Sequence, residues 1–132
     1  MIDPIVRAAT GEDQAALQAL ELEARAALID QRGGEVWLVD LGLAAKTRPC
    51  VVLSVPATGQ NDRVLVTLVT HTTSPRGSEY EVALSVRFLK PGAFDAQNLV
   101  TVPHAKLMRK LGVLSAEQLT AVVAAVRRWL GL

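Results

Sequence analysis

The first part of the chain carries apolar residues at helical spacing. The segment Thr10-Gly11-Glu12-Asp13 has a threonine three positions before an acid, which is a typical helix start. The apolar positions that follow at intervals of three and four are Leu17, Leu20, Ala24 and Leu28. This pattern predicts an amphipathic helix over residues 12–30.

From residue 35 the spacing of the apolar residues shortens to that of strands. The chain becomes a series of short runs rich in β-branched and aromatic residues. Turn-forming residues such as those in 56–62 and 75–78 bound these runs. The runs predict strands at residues 35–41, 50–55, 63–69, 79–86 and 98–102. Because most of them are not separated by helices, we expect a small antiparallel barrel.

Two further helices are predicted after the last of these strands. Pro103 suits the first position of a short helix over residues 104–110, which Gly112 would end. Ser115 can cap a final helix. Its apolar face would consist of Leu119, Val122, Val123, Val126 and Leu130. The predicted fold class is therefore mainly β with helices.

The paired glycines Gly33 and Gly34 mark the boundary between the helical and the strand-rich parts, since glycine destabilises a helix by about 1 kcal/mol relative to alanine. We expect residues 1–32 to form an N-terminal helical extension and residues 33–132 to form the main domain. The sign of the net charge also changes at this boundary, from negative before it to positive after it. The first 32 residues hold three basic and six acidic side chains, and the rest hold eleven and seven, although the net charge of the chain is only +1.

Composition restricts the remaining possibilities. Half of the 132 residues are apolar, enough for one domain with a core, and no apolar run reaches the roughly 20 residues that a membrane helix needs. We therefore expect a cytoplasmic protein without a membrane partner. The single cysteine, Cys50, cannot form an internal disulfide and lies in an apolar run, which favours a core thiol over a nucleophile.

No motif for a metal or cofactor is present. The chain has no zinc-ligand spacing and no phosphate-binding glycine loop, and its two histidines, His71 and His104, are far apart in sequence. We expect neither a metal nor a cofactor.

Arg48 is the first candidate for chemistry. It precedes Pro49 at the start of the run that continues from Cys50, and the proline restricts Arg48 to an extended conformation. A guanidinium keeps its charge at physiological pH and fits two oxygens of a phosphate, so the residue could form an anion site. Pairing with a carboxylate, or capping an end of the barrel, is an equally good reading of its position.

The second candidate is the hydroxyl-rich segment from Thr70 to Ser74. In an extended segment alternate side chains share a face, so Thr70, Thr72 and Ser74 would lie on one side and His71 and Thr73 on the other. One side could present hydroxyl groups to a phosphate beside Arg48. His71 could act as a general base near neutral pH, although a histidine at a strand end is more often hydrogen-bonded or exposed.

Four segments in the same order resemble the MazF/PemK (Kid) family of toxin endoribonucleases. They are "GEVWLVDLG", "TRPCVVLS", "LVTHTTSPRGSEYEVAL" and "QNLVTVPHAKLMRKLGVLS", which together with a closing helix extend from Gly34 to about Leu132. The resemblance implies an SH3-like barrel, a homodimer and a cognate antitoxin protein as partner. It also implies cleavage of single-stranded RNA without a metal, through attack of a 2′-hydroxyl that leaves a 2′,3′-cyclic phosphate and a 5′-hydroxyl.

The resemblance also assigns roles to residues. Arg48 matches the family's catalytic arginine, as acid or as clamp of the transition state, and Thr72 matches the catalytic threonine. Substrate contacts are expected from neighbouring residues of the same segments, namely Lys46, Thr47, Thr70, His71, Thr73, Ser74, Arg76 and Asn98. The loop at residues 43–47 lacks the glutamate that many members have, which leaves His71, a backbone group or water as the base.

Two other functions remain open from the sequence. Without the loop glutamate, the chain could be a weak or inactive nucleic-acid-binding module of the same fold. The ending Trp129-Leu130-Gly131-Leu132 also suggests a gyrase poison resembling CcdB, which has this architecture.

Overall fold

The computed structural model describes residues 33–43, 46–61 and 64–132. The predicted helix at residues 12–30, and with it the N-terminal extension, lies outside the described residues. Six strands form the described part: β1 (Glu35–Asp40), β2 (Thr47–Val52), β3 (Leu65–Thr72), β4 (Glu81–Ala83), β5 (Ala93–Pro103) and β6 (Leu107–Val113). A 3₁₀ helix (His104–Lys106) joins β5 to β6, and helix α1 (Ala116–Leu130) ends the domain.

All strand pairs are antiparallel and form one sheet in the order β4-β5-β3-β2-β1-β6. This confirms the mainly β prediction. Closure of the sheet into a barrel remains a prediction, because β4 and β6 are the two ends of the sheet among the described strands.

The predicted helix at residues 104–110 is wrong beyond its first turn. Only His104–Lys106 are helical, and the chain then continues as β6, which pairs with β1. Leu107 is buried opposite Val39 in this pairing, and Arg109 lies opposite Leu38. An apolar partner strand thus decides the conformation of a segment whose own pattern allows either structure.

Apolar residues are buried on both faces of the sheet. Consecutive residues of β2 point to opposite faces. Val51 belongs to one cluster, with residues of β1, β3, β5 and α1, whereas Cys50 and Val52 belong to another, with residues of β1, β3 and β6. Burial on both faces explains why residues 50–53 read as a continuous apolar run instead of an alternating one.

Helix α1 begins at the Ser115 cap that its sequence predicts, and it is also capped at its C-terminal end. The Ser115 hydroxyl accepts from the Gln118 amide while the Gln118 side chain accepts from the Ser115 amide, and Gly131 ends the helix with φ +72°. Two residues of the predicted apolar face are exposed, Val123 by 38% and Leu130 by 50%. The helix therefore packs on the sheet with a narrower stripe than the sequence suggests, around Val122 and Ala125.

Candidate functional site

Arg48 and Thr72 come together because of the register of two neighbouring strands. Cys50 of β2 pairs with Thr70 of β3, and Arg48 and Thr72 each lie two residues beyond this pair, at the same end of the two strands. On its other side Arg48 pairs with Val39 of β1. Arg48 is exposed, and none of the described carboxylates forms an ion pair with its side chain. The alternative of pairing with a carboxylate is therefore not seen among the described residues.

A cavity of about 710 Å³, called the first cavity below, contains both side chains. It lies where the ends of β1, β2 and β3 meet β5. Its polar and charged lining residues are Asp40, Arg48, Thr70, His71, Thr72, Asn98, Thr101 and Lys106. The volume is typical of small-molecule sites and allows at least a nucleotide to enter.

The two threonines that share this cavity have different surroundings. Thr70 is 6% exposed, and its Oγ1 accepts from the Cys50 thiol at 3.7 Å. Thr72 is partly exposed, and its Oγ1 accepts from the Ser74 amide at 3.1 Å. An oxygen that accepts from a backbone amide keeps its own proton available, so the Thr72 hydroxyl can donate to an anion in the cavity.

His71 is buried beside the site. It is 2% exposed, and its ring packs edge-on against Phe94 at 5.1 Å between centroids. Its Nε2 is buried and has no hydrogen-bond partner among the described residues. Burial lowers the pKa of His71 below 6.5, so the ring is neutral at neutral pH. Because Nε2 is sealed from solvent, a substrate hydroxyl cannot reach it in this conformation, which weighs against His71 as the base.

Asp40 is a lining residue that the sequence reasoning missed. Its Oδ1 accepts from the Gly42 amide at 2.9 Å, which fixes the carboxylate at the end of β1. It is the one carboxylate among the described residues that line the first cavity. The available signal was its position as the last polar residue of a predicted strand, one strand away from Arg48.

A second cavity of about 340 Å³ lies beside the first. Arg48 and His71 line both cavities, and the predicted residues Thr47 and Thr73 line only the second. Its other lining residues are Leu38, Pro49, Phe88, Leu89, Lys90, Arg109 and Leu111. Lys90 and Arg109 were not predicted, because nothing in the sequence relates residues 90 and 109 to residue 48.

The remaining predicted residues divide into two groups. Asn98 lines the first cavity and donates to Asp95 Oδ2 at 2.9 Å, within a three-residue bulge of β5 opposite the Val69–Thr70 step. Arg76 does not line either cavity. Its guanidinium lies 3.7 Å from the same Asp95 oxygen and donates to Gln97 at 3.2 Å, so it supports the bulge that carries Asn98.

Lys46 and Ser74 also lie outside the two cavities. Lys46 is exposed and takes a left-handed conformation with φ +58°, and its amide donates to the Gly42 carbonyl at 2.7 Å. Ser74 follows the end of β3, and its amide is bonded to Thr72. The predicted face of three hydroxyl groups is thus limited to Thr70 and Thr72 in the first cavity.

Two kinds of feature, metal-binding clusters and membrane-spanning helices, are absent from the described residues. They contain no group of three or more His, Cys, Asp or Glu side chains that could hold a metal ion. No helix within these residues is long and apolar enough to cross a membrane.

Comparison with known proteins gives consistent results. Residues 32–130 match the family model described as PemK-like, MazF-like toxin of type II toxin-antitoxin system. No curated protein sequence matches the chain.

Solved structures of similar fold include several toxins. A mycobacterial endoribonuclease in complex with its cognate antitoxin is 25% identical, with a TM-score of 0.67, and the match covers 77% of this chain and 96% of the other. The Mycobacterium tuberculosis toxin MazF-mt6 is 28% identical, with a TM-score of 0.64 and coverage of 74% and 97%. MazE-MazF from Deinococcus radiodurans, at 23% identity and a TM-score of 0.61 over 77% and 95%, shows the same fold.

Proposed function

This chain belongs to the PemK-like, MazF-like family of toxins of type II toxin-antitoxin systems, and we propose that it is an endoribonuclease that cleaves single-stranded RNA. One observation supports the proposal: Arg48 and Thr72 line the same open cavity. The Arg48 guanidinium has no ion-pair partner among the described residues, and the proton of the Thr72 hydroxyl is available. A cation and a hydroxyl donor at one place are what a reacting phosphate group requires.

In the proposed reaction the 2′-oxygen of one nucleotide attacks the adjacent phosphorus, and the bond from phosphorus to the 5′-oxygen of the next nucleotide breaks. The products are a 2′,3′-cyclic phosphate and a 5′-hydroxyl. Arg48 and Thr72 hold the phosphoryl oxygens and stabilise the charge that grows on them. Because a guanidinium does not lose its proton in proteins, Arg48 serves as a clamp and not as the acid.

Asp40 is the base in this proposal, since it supplies the carboxylate that the loop at residues 43–47 lacks. It takes the proton of the attacking 2′-hydroxyl, and its second oxygen stays fixed by the Gly42 amide. The 5′-oxygen that leaves takes a proton from the Lys106 ammonium, which lines the same cavity. Every group in the scheme is a side chain, so it requires no metal ion.

We propose that an antitoxin regulates this chain, as in toxin-antitoxin systems of similar proteins. The solved mycobacterial endoribonuclease is bound to its cognate antitoxin. We expect this chain to act in the cytoplasm as a homodimer whose activity a cognate antitoxin protein inhibits. An antitoxin that covers the first cavity would exclude RNA from Arg48 and Thr72.

The purified protein incubated with total RNA, with and without EDTA, tests the function. We expect new 5′-hydroxyl ends at a recurring sequence in both samples, and none with Arg48→Ala. Absence of new ends together with RNA binding would instead favour a nucleic-acid-binding module. Stabilised DNA cleavage complexes of gyrase would favour the gyrase poison.

A further inference from the structure

The second cavity has the properties of a nucleotide subsite. It adjoins the first cavity at Arg48 and His71, which line both. We propose that it binds the nucleotide on the 3′ side of the cleaved bond, with the base against Phe88 and the following phosphate at Lys90 and Arg109. The inference rests on the proposed function and adds to it the direction of the RNA strand and the origin of part of its specificity.

Charge is the first argument. Three cations, Arg48, Lys90 and Arg109, line this cavity, and none of its described lining residues is acidic. None of the three forms an ion pair with a carboxylate of the described chain, whereas neighbouring Lys110 is bonded to Glu35 at 3.1 Å. Three cations without an ion-pair partner among the described residues, around one small cavity, favour an anion with more than one charged group, such as successive phosphates of a nucleic-acid strand.

The apolar part of the lining is the second argument. Phe88, Leu89, Leu111 and Pro49 give the cavity a surface suited to the flat face of a base. The Phe88 ring lies directly against Gly112, where an added Cβ would overlap the ring. Proteins that bind single strands combine such aromatic contacts with a basic path for the backbone.

The position of Asp40 determines the direction of the strand. Asp40 lines the first cavity and not the second. As the base it must reach the attacking 2′-hydroxyl, so the nucleotide that carries this hydroxyl occupies the first cavity. The scissile phosphate then lies at Arg48, which borders both cavities, and the nucleotide with the leaving 5′-oxygen enters the second cavity.

Two oligonucleotides containing the recognised cleavage sequence separate these sites. The first spans the cleavage site and has 2′-deoxyribose at the attacking nucleotide, so that it binds without being cleaved. The second ends in a 3′-phosphate at that nucleotide and can occupy only the first cavity. Affinity is measured by fluorescence anisotropy over a range of salt concentrations, for the wild type, for Lys90→Ala/Arg109→Ala and for the charge control Arg87→Ala/Lys110→Ala, whose residues line neither cavity.

We expect the Lys90→Ala/Arg109→Ala variant to bind the spanning oligonucleotide at least about 10-fold more weakly and with a smaller salt slope, by roughly 0.7 for each lost phosphate contact. The shorter oligonucleotide should bind to it about as well as to the wild type. The control variant, which also loses two charges, should show no such difference between the two ligands.

Equal loss of affinity for both oligonucleotides, or no loss for either, would overturn the subsite. If the wild type cleaves RNA in either case, the proposed function stands and only this inference fails. Wild-type protein that neither cleaves RNA nor binds either oligonucleotide overturns the proposed function together with the inference. Weaker antitoxin binding with unchanged RNA binding would assign the cavity to the protein partner and also overturn the inference.

Discussion

The Cys50 thiol donates to the Thr70 hydroxyl at 3.7 Å across the paired strands β2 and β3. Burial raises the pKa of this thiol to about 11, although the bond to Thr70 and the charge of Arg48 act in the opposite direction. The thiol is therefore a neutral part of the core, as the sequence predicts. The same contact bonds Thr70 to the neighbouring strand, whereas the Thr72 hydroxyl, two residues later, accepts from the Ser74 amide.

Replacement of the two threonines should separate their roles. Thr72→Ala removes a hydroxyl that is free to donate, so we expect kcat to fall by about 10²-fold or more, and Thr72→Ser should restore much of it. Thr70→Ala should mainly lower the free energy of unfolding, by about 1 kcal/mol. Cleavage assays and urea denaturation of the three variants measure both effects. A larger loss of kcat in Thr70→Ala than in Thr72→Ala would show that the assignment is shifted by two residues.

Arg48→Ala should lower kcat by about 10²–10³-fold, because one preorganised donor to the developing charge is lost. Arg48 is exposed and makes no side-chain ion pair with the described residues, so thermal unfolding should change little. Arg48→Lys keeps the charge but loses the guanidinium's pair of parallel donors. Its kcat should therefore lie between those of the wild type and Arg48→Ala. If Arg48→Ala unfolds, the arginine has a structural role after all.

Asp40→Asn should lower kcat by about 10²–10⁴-fold without raising KM, since it removes the proposed base and also a negative charge from a site that binds an anion. The asparagine oxygen can still accept from the Gly42 amide, so the end of β1 should keep its conformation. Steady-state kinetics on a defined oligonucleotide separate kcat from KM. A higher KM with unchanged kcat would assign Asp40 to substrate positioning.

Stability should decrease in mild acid because of His71. Its pKa in the folded protein is lowered by burial, so as the pH falls below 6.5 the unfolded chain takes up a proton that the folded protein resists. The loss should begin near pH 6.5 and continue down to the lower pKa of the folded state. Urea denaturation at pH 7.5 and 5.5 should show a smaller pH dependence in His71→Gln or His71→Asn than in the wild type. Equal pH dependence in all three would contradict this origin.

Gly92→Ala should displace the strand that carries His71 and Thr72. A Cβ at Gly92 would lie 2.0 Å from the Thr72 carbonyl oxygen and 2.8 Å from His71 Cε1, so β3 would have to move. We expect the free energy of unfolding to fall by about 1–3 kcal/mol or more, together with a loss of cleavage. Gly59→Ala, where a Cβ meets nothing within 4 Å, is the matched control and should leave cleavage unchanged.

Local patterns predicted much of the fold correctly. The Ser115 cap of helix α1 and the strand after Gly34 follow from residues that are close in sequence. The failure at residues 104–110 has a different cause. Leu107 and the residues after it pair with β1, which lies about 70 residues earlier, and no local pattern contains that partner.

The sequence by itself determined the strand-rich domain and its final helix. Together with the family resemblance it also selected Arg48 and Thr72, because a charge before a proline and a run of hydroxyl residues are visible locally. The tertiary structure decided which groups share space with them. Asp40 lines the first cavity, and Lys90 and Arg109 line the second. Arg76 lines neither of them and instead contacts Asp95. These relationships depend on strand register and on the bulge in β5, which arise only when distant segments pair.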